Sequence, residues 1–304
     1  MKNKTISSWI RASRPQTLPV SIAGVIAGIA CGILSGGFNP LASLCCLLFA
    51  VGAQIASNFA NEYFDFKKGL DKKGREGFRR GVTEGDISPR AMKLATYISL
   101  MLAAIPGCIL IYWGGLWLIG IGVIIAIFAL AYSAGPYPLS HHGLGDVAVV
   151  IFFGLVPVGF TAWLQTLSTH TLPIALTVGL GVGLLAANVL IVNNYRDADD
   201  DKSVGKKTTV VRFGRESMAR CYMAFSLLGL ILLCAPASRG NVWMLLPLLL
   251  IPKAALNYKY LISHTGASLN ALLKATSLLL LTASIILLAE GILTIILPLL
   301  FLYK

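Results

Sequence analysis

The sequence predicts an all-α fold, a polytopic membrane bundle of about nine transmembrane helices, and two observations carry the prediction. Hydrophobic residues make up 56% of the 304-residue chain and charged residues only 12%, about half the charge of an ordinary soluble domain. The mean hydropathy is +0.77, and the apolar residues gather into runs near 20–34, 116–134, 147–164 and 278–302, close to the roughly 20 residues that a span requires. A soluble core has no use for such runs. A secreted disulfide scaffold and a disordered tail are excluded on the same composition.

Hydropathy and chain breakers place the spans at 17–36, 39–66, 88–112, 115–134, 144–165, 172–197, 216–235, 241–262 and 269–302, read as a single membrane domain over 1–304. Pro298 interrupts the last of these, which is either one long helix or a helix with a re-entrant tail. The basic segment 1–19 has no small-residue cleavage site ahead of the first span and reads as a retained cytoplasmic lead-in. Trp9, Trp113, Trp117, Trp163 and Trp243 fall near span ends, as interfacial anchors do. The six cysteines (Cys31, Cys45, Cys46, Cys108, Cys221, Cys234) sit in apolar stretches without metal-ligand spacing and read as buried thiols.

The net charge of +12, from 25 Lys and Arg against 13 Asp and Glu, admits nucleic acid, anionic lipid or an anionic substrate as its cause. Distribution decides. In this topology only Arg239 and Lys304 fall on one side, so the positive-inside rule puts the N-terminus in the cytoplasm and the C-terminus outside. The charge follows the membrane and no soluble module exists to bind nucleic acid.

The acids are few and clustered. Asp65 and Asp71 close the second span, and Asp197, Asp199, Asp200 and Asp201 close the sixth. Gln54, Asn58, Asn61 and Asp65 are spaced i, i+4, i+7, i+11, and Asn193, Asp197 and Asp201 are spaced i, i+4, i+8, so each set forms a polar stripe on one helical face. Such a stripe is costly against lipid and belongs in a bundle interior or a water-filled cavity. An Asn followed four residues later by an Asp occurs at 61/65 and 193/197, which suggests a duplicated helical unit with one acid site per half. The Asp199-Asp200 pair taken alone reads as a solvated helix end.

Carboxylates with Asn neighbours suit a hard divalent cation, Mg²⁺, which commonly bridges carboxylates to a substrate phosphate. Each cluster precedes a basic loop: Lys67, Lys68, Lys72, Lys73, Arg75, Arg79 and Arg80 after the first, then Lys202, Lys206, Lys207, Arg212 and Arg215 after the second. Acids, Mg²⁺ and cations together describe a diphosphate site, although any single Lys serves topology and anionic lipid equally well. His141-His142 read as loop residues, with a proton-carrier pair as the alternative, and Glu290 has no assignment. A small-molecule transporter is the competing class; transporters place their site near the midplane on broken helices, whereas these acids sit at one end.

Asn61-Glu-Tyr-Phe-Asp65-Phe-Lys-Lys-Gly-Leu-Asp71 resembles the first aspartate-rich motif of the UbiA superfamily of intramembrane aromatic prenyltransferases, and Asn193-Asn-Tyr-Arg-Asp197-Ala-Asp-Asp-Asp201 resembles the second. Arg14-Pro15-Gln-Thr-Leu-Pro19, Gly135-Pro-Tyr-Pro138, Gly143-Leu-Gly-Asp146, Gly205-Lys-Lys-Thr208 and Val210-Val-Arg212-Phe-Gly214 resemble its menaquinone branch. The likeness runs through most of the chain in order. Glu62 stands where the family often has Asp, a departure that bears on metal geometry, and Asp71 lies six residues beyond Asp65 rather than four, as the menaquinone branch also has it.

The resemblance implies a central cavity open to the cytoplasm and sideways to lipid, in the plasma (inner) membrane of a bacterium. Its partners would be a polyprenyl diphosphate, a small aromatic acid and the bilayer. Asp65, Asp71, Asp197 and Asp201 would hold Mg²⁺, with Asp65, Asp197 and Asp201 catalytic. Arg14, Asn61, Lys68, Arg79, Arg80, Tyr132, Asp146, Asn193, Asn194, Arg196, Lys206 and Lys207 would bind substrate or diphosphate. The implied reaction prenylates 1,4-dihydroxy-2-naphthoate with loss of its carboxylate; 4-hydroxybenzoate, homogentisate or another aromatic acceptor is the alternative.

Overall fold

Helix starts are written in the residues that satisfy the first free N–H groups of each helix. In the computed structural model, which describes residues 2–74, 77–239 and 242–302, the regular elements of those residues are all helical; Arg75 and Lys304, named above, lie outside them. An amphipathic helix α1 (Lys2–Ala12) leads into α2 (Leu18–Leu34). Asn39 accepts from the Ala42 N–H at 3.0 Å ahead of Pro40 and starts α3 (Pro40–Lys67). Ser88 does the same for Ala91 at 3.2 Å and starts α4 (Pro89–Gly114). The chain continues through α5 (Leu118–Ala131), α6 (Gly145–Thr166), α7 (Leu172–Arg196), the short α8 (Ala198–Ser203), α9 (Thr209–Leu233), α10 (Val242–Ser263) and α11 (Leu269–Leu302).

Seven of these helices are long and apolar enough to cross a membrane, and the shorter apolar α2 and α5 take the two remaining expected places. The chain is a multi-pass membrane protein. The regular part of α5 is shorter than the span 115–134 because Gly115 and Gly135 adopt positive φ at either side, and Pro136 follows the second. Helix α9 bends at Gly214 (φ 81°, ψ 159°), a backbone conformation that glycine adopts without steric cost, so the apolar span begins after it. The backbone of α11 is helical through Pro298 to Leu302, so its last part is one helix rather than a re-entrant tail. Within α6, residues Val150–Leu155 form a π-turn ahead of Pro157.

The main core joins α2, α6, α7, α9 and α11 through Ala23, Ala27, Val158, Val182, Leu185, Leu230 and Leu280, all nearly inaccessible. Small residues bring backbones into contact there: a Cβ on Gly154 of α6 would lie 2.3 Å from the Gly179 carbonyl oxygen of α7. Close backbone approach through small residues is how helices associate where lipid removes the hydrophobic drive. Four of the six cysteines are buried as expected, but Cys108 is exposed on α4 and Cys221 half-buried; apolar surroundings in a membrane protein include its lipid-facing surface.

Candidate functional site

Both polar stripes survive folding. On α3, Gln54, Asn58, Asn61 and Asp65 are all buried. Helix α7 ends at Arg196, yet the hydrogen bonds Asp197 N to Asn193 O and Asp201 N to Asp197 O carry the turn into α8. Asn193, Asp197 and Asp201 therefore keep one face.

The two faces meet across a polar cavity of about 150 Å³, whose lining includes Arg14, Asn61, Asp65, Arg80, Tyr132, Asn193, Asn194, Asp197, Asp201 and Lys206. Lys206 bridges the two motifs. Its Nζ donates to Asp65 Oδ2 at 2.9 Å and stands 4.0 Å from Asp201 Oδ1. Burial works to discharge this ammonium, but the neighbouring carboxylates outweigh it and hold its pKa above the ordinary lysine value. The other oxygen of Asp65 takes His141 Nε2 at 3.1 Å. Asn61 donates to Ser133 Oγ at 2.9 Å and accepts a short hydrogen bond from Arg14. Arg14 is held in the left-handed region (φ 53°), where a non-glycine side chain is uncommon. Around it, Asn58 Nδ2 donates to Ser13 O at 2.9 Å and Ser277 Oγ to Gln16 O at 2.8 Å.

Arg196 faces its neighbour Asp197 with a fork of two hydrogen bonds at 2.7 and 2.8 Å. Its remaining donors reach Asn193 at 2.9 Å and Asn270 of α11 at 2.7 Å, and its guanidinium lies 5.1 Å from the Phe78 ring centre. It borders a smaller polar recess beside the cavity, together with Arg79 and Arg80. Asp71 sits behind Arg80, 3.4 Å from its Nε, and does not line the 150 Å³ cavity.

Several expected residues lie elsewhere. Arg79 grips Asp86 through two hydrogen bonds at 3.0 and 3.1 Å on the surface. Lys68 donates to the carbonyls of Ser133 and Gly135 at 3.1 and 3.2 Å, stapling the end of α3 to the turn after α5. Lys207 is exposed. One carboxylate oxygen of Asp146 accepts from Thr209 Oγ1 at 2.7 Å. Asp199 is at the surface with Arg215, whose hydrogen bond at 2.9 Å lowers the acid's pKa. Glu62 turns away from the cavity and accepts from the Val82 N–H at 2.9 Å, holding the loop that carries Arg80. Sequence reasoning read His141 as a loop residue and did not join it to Asp65: the motif Gly135-Pro-Tyr-Pro138 just before it was the available signal, but its partner lies 76 residues away.

A second cavity of about 410 Å³ joins the first, sharing Gln54, Ser57, Tyr132, Val149 and Phe153. Its walls are apolar, from Val25, Phe49, Ala103, Phe152 and Phe160 among others. One polar chamber thus opens into one oily chamber with Tyr132 at the junction.

Among the described residues no three His, Cys, Asp or Glu side chains gather closely enough to hold one metal ion by themselves. The donors facing the polar cavity are nonetheless oxygen ligands, from Asp65, Asp197, Asp201 and the Asn amides. That set fits a hard cation completed by substrate phosphate and water, not an all-protein cage.

Comparison with known proteins agrees with this chemistry. Residues 21–278 match the UbiA prenyltransferase family. The chain is 36% identical over 247 residues to the 1,4-dihydroxy-2-naphthoate octaprenyltransferase of Haemophilus influenzae, an alignment covering 74% of this chain and 79% of that one. It is 40% identical over 232 residues to the enzyme of the same name from Escherichia coli K12, covering 73% of each. The solved structure of a UbiA homologue from Archaeoglobus fulgidus bound to GPP and Mg²⁺ superposes with a TM-score of 0.67 at 17% identity, over 93% of this chain and 99% of that one.

Proposed function

The chain belongs to the UbiA prenyltransferase family, and on that premise we propose that it transfers a polyprenyl group from an allylic polyprenyl diphosphate to 1,4-dihydroxy-2-naphthoate, with loss of carbon dioxide, in menaquinone biosynthesis. One observation carries the site assignment: a polar chamber with two carboxylate motifs and three cations opens directly into an apolar chamber. A polyprenyl diphosphate has the same two halves.

The residues divide the work accordingly. Arg14, Arg80 and Lys206 bind the diphosphate and stabilise the negative charge that grows as the allylic C–O bond breaks. Asp65, Asp197 and Asp201, with Asn61, Asn193 and Asn194, would hold Mg²⁺ beside the diphosphate. Bound there, Mg²⁺ supplies Lewis-acid neutralisation of the leaving pyrophosphate. Lys206 Nζ, 2.9 Å from Asp65 Oδ2, places its positive charge between the first acid motif and the position the diphosphate would take. Behind them, Asp71 steadies Arg80, and Arg196 orients Asp197. The Tyr132 ring at the junction offers a π face to the carbocation-like allylic carbon. The apolar walls hold the tail and keep water from that carbon. The electron-rich naphthoate ring forms the new C–C bond at its carboxylate-bearing carbon. Carbon dioxide leaves, and the electron pair of the broken bond restores aromaticity, giving demethylmenaquinol.

The clustering of Lys and Arg beside the acid motifs supports a cytoplasmic N-terminus and an outer C-terminus in a bacterial plasma membrane. The test of the reaction is purified protein with Mg²⁺, a radiolabelled polyprenyl diphosphate and a panel of 1,4-dihydroxy-2-naphthoate, 4-hydroxybenzoate and homogentisate. Lipid-soluble label and carbon dioxide release are expected with the naphthoate. Product from another acceptor alone would move the assignment within the family.

A further inference from the structure

Each acid motif presents an aspartate to the polar cavity, Asp65 from α3 and Asp197 from the end of α7, and each is gripped on both carboxylate oxygens. Asp197 is held by its own chain neighbour, through the Arg196 fork. Asp65 is held from distant parts of the chain: Lys206 takes Oδ2 at 2.9 Å and His141 Nε2 takes Oδ1 at 3.1 Å, with Asn61 Nδ2 3.4 Å from Oδ2. The first two partners differ in place. Lys206 lines the polar cavity, whereas His141, mostly buried, lines neither the polar nor the apolar chamber. It therefore reaches the acid without reaching the substrate space. An ionised carboxylate accepts and cannot donate, so Nε2 carries the hydrogen of this bond.

The loop between α5 and α6 is built to hold that ring. The Tyr132 carbonyl accepts from Ser140 N at 3.0 Å and from Ser140 Oγ at 2.6 Å, which closes the loop on itself. Lys68 ties its start to the end of α3. On the other side, the Lys207 N–H donates to the His141 carbonyl at 2.9 Å. Gly143 (φ 74°) passes so close to the same segment that a Cβ there would lie 3.2 Å from the Lys207 carbonyl oxygen. His142 turns back on its own loop, with Nδ1 2.9 Å from the Pro138 carbonyl oxygen and its ring stacked on Tyr137 at 3.6 Å. His141 thus carries its ring on the first motif and its carbonyl on the loop that supplies Lys206.

The terminal torsion of an aspartate is broad and two-fold, so a carboxylate held at one oxygen swings about its Cβ–Cγ bond. A donor on the other oxygen removes that freedom, and metal ligands take their orientation from such outer hydrogen bonds. We propose that His141 is the positioning residue of the first metal-binding carboxylate: it fixes the plane of Asp65 for Mg²⁺ and makes no contact with substrate. It does for the first motif, from a loop 76 residues away, what Arg196 does for the second from the adjacent position. This role rests on the metal site of the transferase reading above.

Three variants separate it from simple packing. In His141→Gln the side-chain amide reaches where Nε2 stands; in His141→Asn it falls short, and His141→Leu has no donor. Purified full-length protein is saturated with geranyl S-thiolodiphosphate, an unreactive donor analogue, and bound Mn²⁺ is counted by electron paramagnetic resonance. Relative to wild type, Mn²⁺ affinity is expected to fall at least about tenfold in His141→Asn and His141→Leu and to stay within about threefold in His141→Gln. The Mg²⁺ concentration for half-maximal turnover should rise in the same order. Affinity unchanged in every variant overturns the role, and so does equal loss in all three, because packing rather than the donor would then be at work. Should His141→Leu fail to fold, His141→Asn against His141→Gln decides. Wild-type protein that binds no Mn²⁺ overturns the role whatever the product assay gives. Wild-type protein that binds Mn²⁺ but forms no product from any donor and acceptor sinks the transferase reading and leaves the role of His141 standing.

Discussion

Helices α7 and α4 are similar in length and apolarity, yet 72% of the most apolar stretch of α7 is buried against 22% of that of α4. The bundle has a tight side, where α2, α6, α7, α9 and α11 interlock, and a loose side, where α4 and α5 wall the oily chamber. Helix α3 shows both within itself: its start presents Leu41, Leu44 and Leu48 to the outside, while Asn58, Asn61, Glu62 and Asp65 near its end are buried. On the proposed function, the difference follows the chemistry assigned to each part. Metal and diphosphate require fixed positions, and packed backbone supplies them. A prenyl tail requires only apolar volume, which loosely packed Ile, Leu and Val provide without a unique geometry.

The contrast is broken most directly by placing one substitution on each side. Gly154→Leu forces a side chain into the backbone of α7 and is expected to cost more than about 3 kcal/mol or abolish folding. Gly120→Leu, into open space on α5, is expected to stay within about 0.5 kcal/mol. Thermal unfolding in detergent decides, and equal losses would erase the distinction.

Next in size are the acids. Asp65→Ala and Asp197→Ala are each expected to lower turnover by at least about 10²-fold, while Asp199→Ala, at the surface with Arg215, stays within about twofold. Full turnover in both cavity variants would remove the metal and diphosphate assignment. Lys206→Met is expected to raise KM for the prenyl donor roughly tenfold, the worth of one charge-assisted contact of about 1.5 kcal/mol. An unchanged KM would make Lys206 a partner of Asp65 only.

The smallest effect lies on the exposed loop between α3 and α4. Hydrogen bonding from Arg79 holds the Asp86 carboxyl below its ordinary 3.8, so the pair contributes stability above that value and loses it as pH falls through the lower folded one. Asp86→Asn is expected to lower the thermal midpoint slightly at neutral pH, and the difference from wild type should vanish in acid. A gap that widened in acid would contradict the assigned sign.

Much of the site was legible because few residues compete for it. With 13 acids in 304 residues, a run such as Asn61, Asp65 and Asp71 stands out, and helical spacing predicts which of them share a face. Local order also predicts where helices begin, since Asn39, Ser88 and Thr208 cap the turns that follow them. Lysines were harder to place. Lys206 and Lys207 are adjacent, yet one bridges two motifs and the other is exposed, and nothing in their composition separates them.

The sequence by itself determined the membrane class, the helices and the two polar stripes, because apolar length and periodicity act within one helix. Tertiary structure decided the pairings: His141 with Asp65, Arg196 with Asn270, and Glu62 with the loop at Val82. Periodicity states which face of its own helix a residue occupies. Which residue another helix brings opposite it, or whether any does, depends on how side-chain volumes pack across the whole bundle.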